Sequence, residues 1–377
     1  MHAKGRVLII SVKAGAGHMR AAAAIEEALK EKHPSIDVKN VDALEYTNAA
    51  FRKTFSNAYN TLATDLPSIW GYIYETMERK AADSKTKRLA TLFDRMNSQA
   101  ILKLVKEFAP AAIICTHYLP AEILGHARRS GKLAAPVSVV LTDYDIHTMW
   151  IQNGVDSYFV ATEDMAYALE AKGVDAARVS VTGIPVMPSF SKRHPDTKAV
   201  RAKLGLRAEP PTVLVSAGGF GMAAVDETVE MLAEAAGDVQ ILAVAGRNEA
   251  LHAALGAAAA RHKGRIVPYG FVTNMNELMA ASDFAVTKSG GLTSSECLAM
   301  GLPMVIWNPI RGQEERNADY LLEAGAALRA NSPAHLVFKV RKLLTDAKLL
   351  SRMRAAARRI ARPRAAYTIA SQVTAGL

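Results

Sequence analysis

An apolar run, a glycine turn and an alanine-rich stretch open this chain, and the order strand, glycine loop, helix returns twice more along it. Arg6 to Val12 is the run, Ala14-Gly15-Ala16-Gly17-His18 the turn, and Arg20 to Lys30 has helix-forming composition. The second occurrence is Thr212 to Ser216, then Gly218-Gly219-Phe220-Gly221, then Val225 to Ala236. The third begins at Phe284 to Thr287 and passes through Ser289-Gly290-Gly291-Leu292-Thr293. A strand whose next partner lies across a helix pairs in parallel, so the chain is predicted to build mainly parallel, doubly wound α/β sheets. Further strands are expected at Ile36 to Val41, Ala111 to Thr116, Val137 to Thr142, Ser157 to Ala161, Val239 to Ala245, Arg265 to Pro268 and Pro303 to Trp307.

At 377 residues the chain exceeds what a single hydrophobic core usually serves, which predicts two domains. The alternation breaks from Gly183-Ile184-Pro185 through Lys192-Arg193-His194-Pro195-Asp196, so the boundary is placed there. Residues 1–190 and 200–350 form the two domains, and 351–377 is expected as a C-terminal helix packing back on the first.

No apolar run reaches the ~18 residues of a membrane span, and Met1 to Ser11 lacks the features of a secretory signal, so a cytoplasmic location is expected. Cys115 and Cys297 each sit in an apolar segment and read as buried thiols, with neither a disulfide framework nor a metal site suggested. The formal net charge of +10 calls for an anionic partner. The densest cations are Arg341, Lys342, Lys348, Arg352, Arg354, Arg358, Arg359, Arg362 and Arg364, interleaved with aliphatic residues at helical spacing. No aromatic platform precedes Tyr367 there, and no recognition motif accompanies the charge, so nucleic acid is not the expected partner.

The loops carry the chemistry. Glycines between strand and helix bring backbone amides to an anion at the positive helix end, and His18 stands at such an opening, placed for acid or base work. A plain tight turn is the alternative, because the spacing is not that of a dinucleotide fingerprint. The loop after Ser216 suits a pyrophosphate or is likewise only a turn. The loop from Ser289 to Thr293 suits phosphate oxygens, and Glu296 follows in the helix, where a carboxylate can accept both hydrogens of a ribose diol or merely complement the helix dipole. Gln313 and Glu314, in a polar cluster after the next strand, pair an amide with a carboxylate as sugar-hydroxyl readers do; a solvated helix start is the other reading.

Phe51, Phe55, Tyr59, Leu62, Leu66, Ile69, Trp70, Ile73, Tyr74 and Met77 fall at helical spacing between basic flanks. That is the pattern of an interfacial helix on anionic lipid, and equally of a core helix pair broken at Pro67.

Taken together, TKSGGLTSSECLAMGLP, GQEERNADYLLEAGAA, SVKAGAGHMRAAAAIEEAL and LTDYDIHTMWIQNGVDSYFVATE resemble, in order and over nearly the whole chain, the diacylglycerol glycosyltransferases. That family includes the monogalactosyldiacylglycerol synthases and processive diacylglycerol β-glucosyltransferases of glycosyltransferase family 28, and more distantly the peptidoglycan GlcNAc-transferases. The resemblance implies the GT-B fold of two facing Rossmann-like domains and an inverting transfer of galactose or glucose from a UDP-sugar to diacylglycerol. No cofactor or essential metal is implied, and the enzyme is expected at the cytoplasmic face of a membrane with an anionic surface as partner.

It further implies that His18 lies beside the acceptor hydroxyl, where it is the candidate catalytic base; on the residues alone, Asp143, after a predicted strand in LTDYD, is the alternative base or the group that orients His18. Ser216, Gly219, Arg247 and Phe271 would border the nucleotide, Ser289, Gly290, Gly291, Leu292 and Thr293 the diphosphate, Glu296 the ribose, and Gln313 with Glu314 the hexose. Gly17, His117 and Trp150, with Phe55 and Trp70, are assigned to the acceptor and membrane side. Two departures bear on the acceptor side: the first loop reads AGAGH where three glycines are usual, and Thr148 follows His147 where proline is common. Three other readings stand beside this one: a transferase using a polyprenyl-linked or soluble acceptor, a sugar-nucleotide epimerase, and a non-catalytic UDP-sugar sensor.

Overall fold

The computed structural model describes residues 5–13, 15–48, 52, 99–192, 196–216, 225–375 and 377. The helix expected from Phe51 to Met77, apart from Arg52 but including Phe55 and Trp70, and the second glycine loop, with Gly219, lie outside the described residues.

The chain divides into two compact units. The first holds the residues up to Pro188 with Arg311–Gln313 and Pro363–Leu377; the second holds Ser189–Ile310 and Glu314–Arg362. In the first, β1 (Arg6–Ser11), α1 (Ala16–Lys32), β2 (Asp37–Asp42), β3 (Ala112–Cys115), α2 (Tyr118–Arg129), β4 (Val137–Val140), β5 (Ser157–Val160), α3 (Glu163–Ala171) and β6 (Val179–Val181) alternate. Six strands pair in the order β2-β1-β3-β4-β5-β6, every pair parallel. Val7, Leu8, Ile9 and Ile10 of β1 are fully buried, as befits an inner strand covered on both faces. The order reverses between β1 and β3, the place where an open parallel sheet leaves a crevice at its carboxyl edge.

The second unit runs through α4 (Thr197–Lys203), β7 (Thr212–Ser216), α5 (Val225–Ala235), β8 (Gln240–Val244), α6 (Glu249–Arg261), β9 (Ile266–Tyr269), α7 (Met275–Ala281) and β10 (Phe284–Thr287). It continues with α8 (Gly291–Ala299), β11 (Met304–Trp307), α9 (Gln313–Glu323), β12 (Ala327–Ala330), α10 (Pro333–Thr345) and α11 (Ala347–Ile360). Its sheet order is β12-β11-β10-β7-β8-β9, again all parallel, with the reversal between β7 and β10. Buried Arg201 of α4 ties this unit together. It donates to the Ala281 carbonyl at 2.9 Å, the Ala208 carbonyl at 2.9 Å and the Asp283 carboxylate at 2.9 Å, and Asp283 also accepts from the Thr212 amide.

The chain returns to the first unit at Pro363, not at residue 351 as the sequence suggested. The reason is local: Met353 sinks into the core of the second unit, Ala357 is buried, and Arg354 donates to the Asp283 carbonyl at 3.2 Å. Within the C-terminal stretch it is α12 (Ala365–Thr374) that packs on α1, burying Ala366, Ile369 and Ala370 against Ala22, Ile25 and Leu29.

Two strands went unread in the sequence, β6 and β12, and both are sheet edges. Among the described residues no helix is long and apolar enough to cross a membrane.

Candidate active site

In the first unit the reactive side chains collect where β1 and β3 end side by side, Ile10 opposite Cys115. Gly15 caps α1 with φ 83°, a left-handed angle that glycine adopts without strain, and the turn delivers His18 in the first coil of the helix. His18 is buried, and its Nδ1 lies 2.9 Å from the Thr116 carbonyl and 2.9 Å from Thr142 Oγ1. A carbonyl only accepts, so Nδ1 carries the ring proton and Nε2 keeps its lone pair. Thr116 closes the pair by donating its hydroxyl to the His18 carbonyl at 3.1 Å. Burial lowers the His18 pKa to about 4, and the Thr116 carbonyl offsets part of that shift. The ring is therefore neutral at pH 7, with a basic nitrogen available.

His117 caps α2. Its Nδ1 accepts from the Leu119 amide at 3.1 Å, which leaves the proton of the neutral ring on Nε2. Burial, and then the neighbouring His18, hold its pKa well below the ordinary value. The two rings meet edge to face, 4.8 Å apart at 82°.

His147 performs the same capping duty, accepting from the Met149 amide at 3.2 Å, and so fixes the short 3-10 turn Thr148–Trp150. That turn sets the Trp150 ring 6.0 Å from His18 and 6.2 Å from His117. Tyr118 completes the cluster, 4.2 Å from His117 and 6.1 Å from Trp150. His18, His117 and Trp150, assigned from sequence to one side of the reaction, thus share one site, and buried Asp143 adjoins it through Thr142. Gly17 lies in the same helix opening.

Thr116, Thr142 and Tyr118 were missed by sequence reasoning. Thr116 and Thr142 stand just past strand ends at the carboxyl edge, which is the only signal that marks them.

In the second unit the carboxyl ends of β7 and β10 adjoin, Ser216 opposite Thr287. The loop after Thr287 is held by Ser289, fully buried, whose hydroxyl donates to the Glu314 carbonyl at 2.6 Å. Glu314 in turn accepts from the Ile310 amide at 2.7 Å, so α9 and the loop are braced together. Burial lowers the pKa of Lys288 in that loop, with Glu314 opposing the shift. Gly290 caps α8 with no side chain bonded to the first-turn amides, and Gly291, Leu292 and Thr293 form that turn. Such an opening presents donors to an anion.

Glu296 is buried and sits beyond the first turn of α8, where the pull of the helix dipole on a carboxylate is weaker. Gln313 and Glu314 open α9. Arg247, past β8, lies over the ring of Phe271, past β9, at 4.4 Å, and that ring is 57% exposed, an unusual state for a large aromatic on a carboxyl edge. Among the described residues no cluster of three or more histidine, cysteine or acidic side chains is placed to hold a metal ion.

Residues 18–186 match the family described as monogalactosyldiacylglycerol (MGDG) synthase, and residues 212–369 match the glycosyltransferase family 28 C-terminal domain. A processive diacylglycerol beta-glucosyltransferase of Bacillus cereus (strain 03BB102) is 30% identical over 372 residues, covering 98% of this chain and 93% of the relative. That of Bacillus subtilis (strain 168) is 29% identical over 362 residues, covering 94% of this chain and 91% of the relative. Among solved structures, Acinetobacter baumannii MurG is 15% identical with a TM-score of 0.66 and covers 98% of this chain and 99% of its own, a likeness of fold. With two parallel-sheet domains of GT-B type, two consecutive family matches and 30% identity along almost its full length, this chain belongs to the diacylglycerol glycosyltransferase family.

Proposed function

We propose that the chain transfers a hexose from a UDP-sugar to the hydroxyl of diacylglycerol at the cytoplasmic face of a membrane, inverting the anomeric centre without a metal. The observation that carries this reading is the state of His18: neutral, buried, its Nδ1 committed to the Thr116 carbonyl and its Nε2 left with a lone pair. An imidazole held neutral and positioned in this way has a ring nitrogen free to take the proton of an alcohol. The acceptor O–H gives its proton to Nε2, its oxygen bonds the anomeric carbon from the face opposite the leaving group, and the bond to UDP breaks with its electrons on the phosphate oxygen.

The uncapped opening of α8 supplies amides for the charge that grows on that phosphate, the role a metal would otherwise serve. Glu296 takes the ribose diol, and Gln313 with Glu314 reads the hexose. Ser216, Arg247 and Phe271 border the base, the exposed ring of Phe271 offering a stacking face. Asp143, next to Thr142, orients the site or shares the base role. The relatives' names favour glucose as the sugar.

The test is to incubate purified protein with labelled UDP-glucose or UDP-galactose and diacylglycerol vesicles in the presence of EDTA, resolve the lipids, and assign the anomer by NMR. A β-glucosyl lipid formed in EDTA is expected. UDP release or epimerised UDP-sugar with no labelled lipid would replace this reading by the epimerase, and UDP binding with no turnover of the UDP-sugar would replace it by the sensor.

A further inference from the structure

Two histidines of the first unit, His18 and His117, are locked in opposite hydrogen-bonding states, and only one of them is used by the reaction above. His18 presents a bare Nε2 because a carbonyl holds its Nδ1 proton. His117 presents Nε2–H, because the Leu119 amide occupies its Nδ1 lone pair. Among the described residues neither Nε2 has a hydrogen-bond partner, and neither counts among the sealed, unsatisfied atoms. The rings are 4.8 Å apart, and Tyr118 and Trp150 confine the His117 ring further. A neutral donor is thereby fixed beside a neutral acceptor in a buried, partly aromatic cluster.

A donor on the reacting oxygen itself would draw on the lone pair that attacks the anomeric carbon. The donor is better used on a second oxygen. We propose that His117 Nε2–H binds the oxygen on the carbon next to the reacting hydroxyl, so that the site selects an alcohol with a vicinal oxygen: the ester of a glycerol lipid, or a neighbouring hydroxyl when a sugar is the acceptor. This rests on the reading of His18 as the base that meets the acceptor. The transfer step is unchanged; His117 gives a hydrogen bond and no proton, and it fixes which way the acceptor lies as His18 removes the hydroxyl proton.

The helix-capping duty of His117 must be separated from this role, and His117→Ser does so. Serine is a favoured N-cap whose oxygen accepts the same amide, while the Nε2–H donor is lost. His117→Asn, a second capping replacement with a shorter reach, guards against a folding defect peculiar to serine. Each is assayed with 1,2-diacylglycerol and with a two-tailed primary alcohol that has no oxygen beside its hydroxyl, used as substrate or as competitive inhibitor.

The expected result is that His117→Ser raises KM for diacylglycerol by roughly tenfold, the scale of one lost hydrogen bond in a buried site. KM for the UDP-sugar and the melting midpoint should stay, and the two-tailed alcohol should bind wild type and variant alike. An equal loss on both lipids, or an unchanged KM for diacylglycerol, overturns the proposal. Failure of the wild-type chain to glycosylate any lipid overturns the parent reading along with this one, and it is distinguished by being seen before any variant is made.

Discussion

Two histidines of the same chemical type stand side by side here and differ in what they can do, because each has its Nδ1 committed to a different backbone group. The consequence for His18 is a testable pH dependence. A ring with the ordinary value of 6.5 would lose its basic form as pH falls through that value, whereas burial moves the change to about 4. The pH profile of kcat/KM, which reports the free enzyme, should therefore run flat on its acid side from pH 8 to about 5.5; a descending limb centred near 6.5 would contradict this environment for the ring. Stability responds in the opposite sense to a salt-bridged histidine. The unfolded ring binds a proton below 6.5 and the folded one resists until about 4, so acid favours unfolding across that window, by roughly 3 kcal/mol for His18. His117, lowered as well, adds to the loss in the same direction. Removal of the base by His18→Ala should cut kcat about a hundredfold or more, within the usual range for general base catalysis. Thr142→Val should cost only a few-fold, because the Thr116 carbonyl still fixes the tautomer.

At the scale of elements, α2 is pressed onto the turn before β5 so closely that side chains are excluded. A methyl on Gly125 would fall 2.6 Å from the Asn153 carbonyl oxygen. That turn cannot easily yield, since Tyr158 Oη both accepts from the Gln152 amide at 3.0 Å and donates to its carbonyl at 2.9 Å. Gly125→Ala should destabilise the protein by about 1–3 kcal/mol in a thermal or denaturant melt. Gly256→Ala, in a helix with open space around the added methyl, should stabilise by about 0.5–1 kcal/mol.

The elements also mark how far the sequence can be read. Thr212–Ser216 and Phe284–Thr287 are inner strands, apolar on both faces, and their limits are the ones the pattern implies. Val179–Val181 and Ala327–Ala330 are short edge strands, half exposed in part, and leave no such run. The strand, glycine turn and helix order made His18 and the Ser289 loop visible. Thr116 and Thr142 were not, because what they do depends on three strand ends meeting in space.

For the whole molecule the question is what the +10 charge is for. Part of it is structural. Arg341 donates to the carbonyl of Ala235, the last residue of α5, at 2.6 Å, Arg359 to the Ala324 carbonyl at 3.0 Å beyond α9, and Arg354 to the Asp283 carbonyl, each cation meeting backbone oxygens that a helix or turn leaves over. Lys348, Arg352 and Arg362 are different: they are exposed and enter no ion pair among the described residues. The two groups should separate by experiment. Arg354→Ala should lower the melting midpoint, since it strips Asp283 of one of its partners, and should leave lipid binding little changed. Replacing Lys348, Arg352 and Arg362 together with alanine should leave the melt alone. The proposed anionic membrane partner then supplies the second readout. Near an anionic surface each cation contributes about 1 kcal/mol, and the attraction fades over a Debye length. Vesicle sedimentation should show binding to anionic but not to neutral lipid, weakening as salt rises, and the triple variant should bind more weakly at low salt. Equal binding to neutral vesicles would mean that charge does not recruit the protein. Unchanged binding by the triple variant would move the contact to the aromatic, basic-flanked segment at 51–88, which carries its own cations.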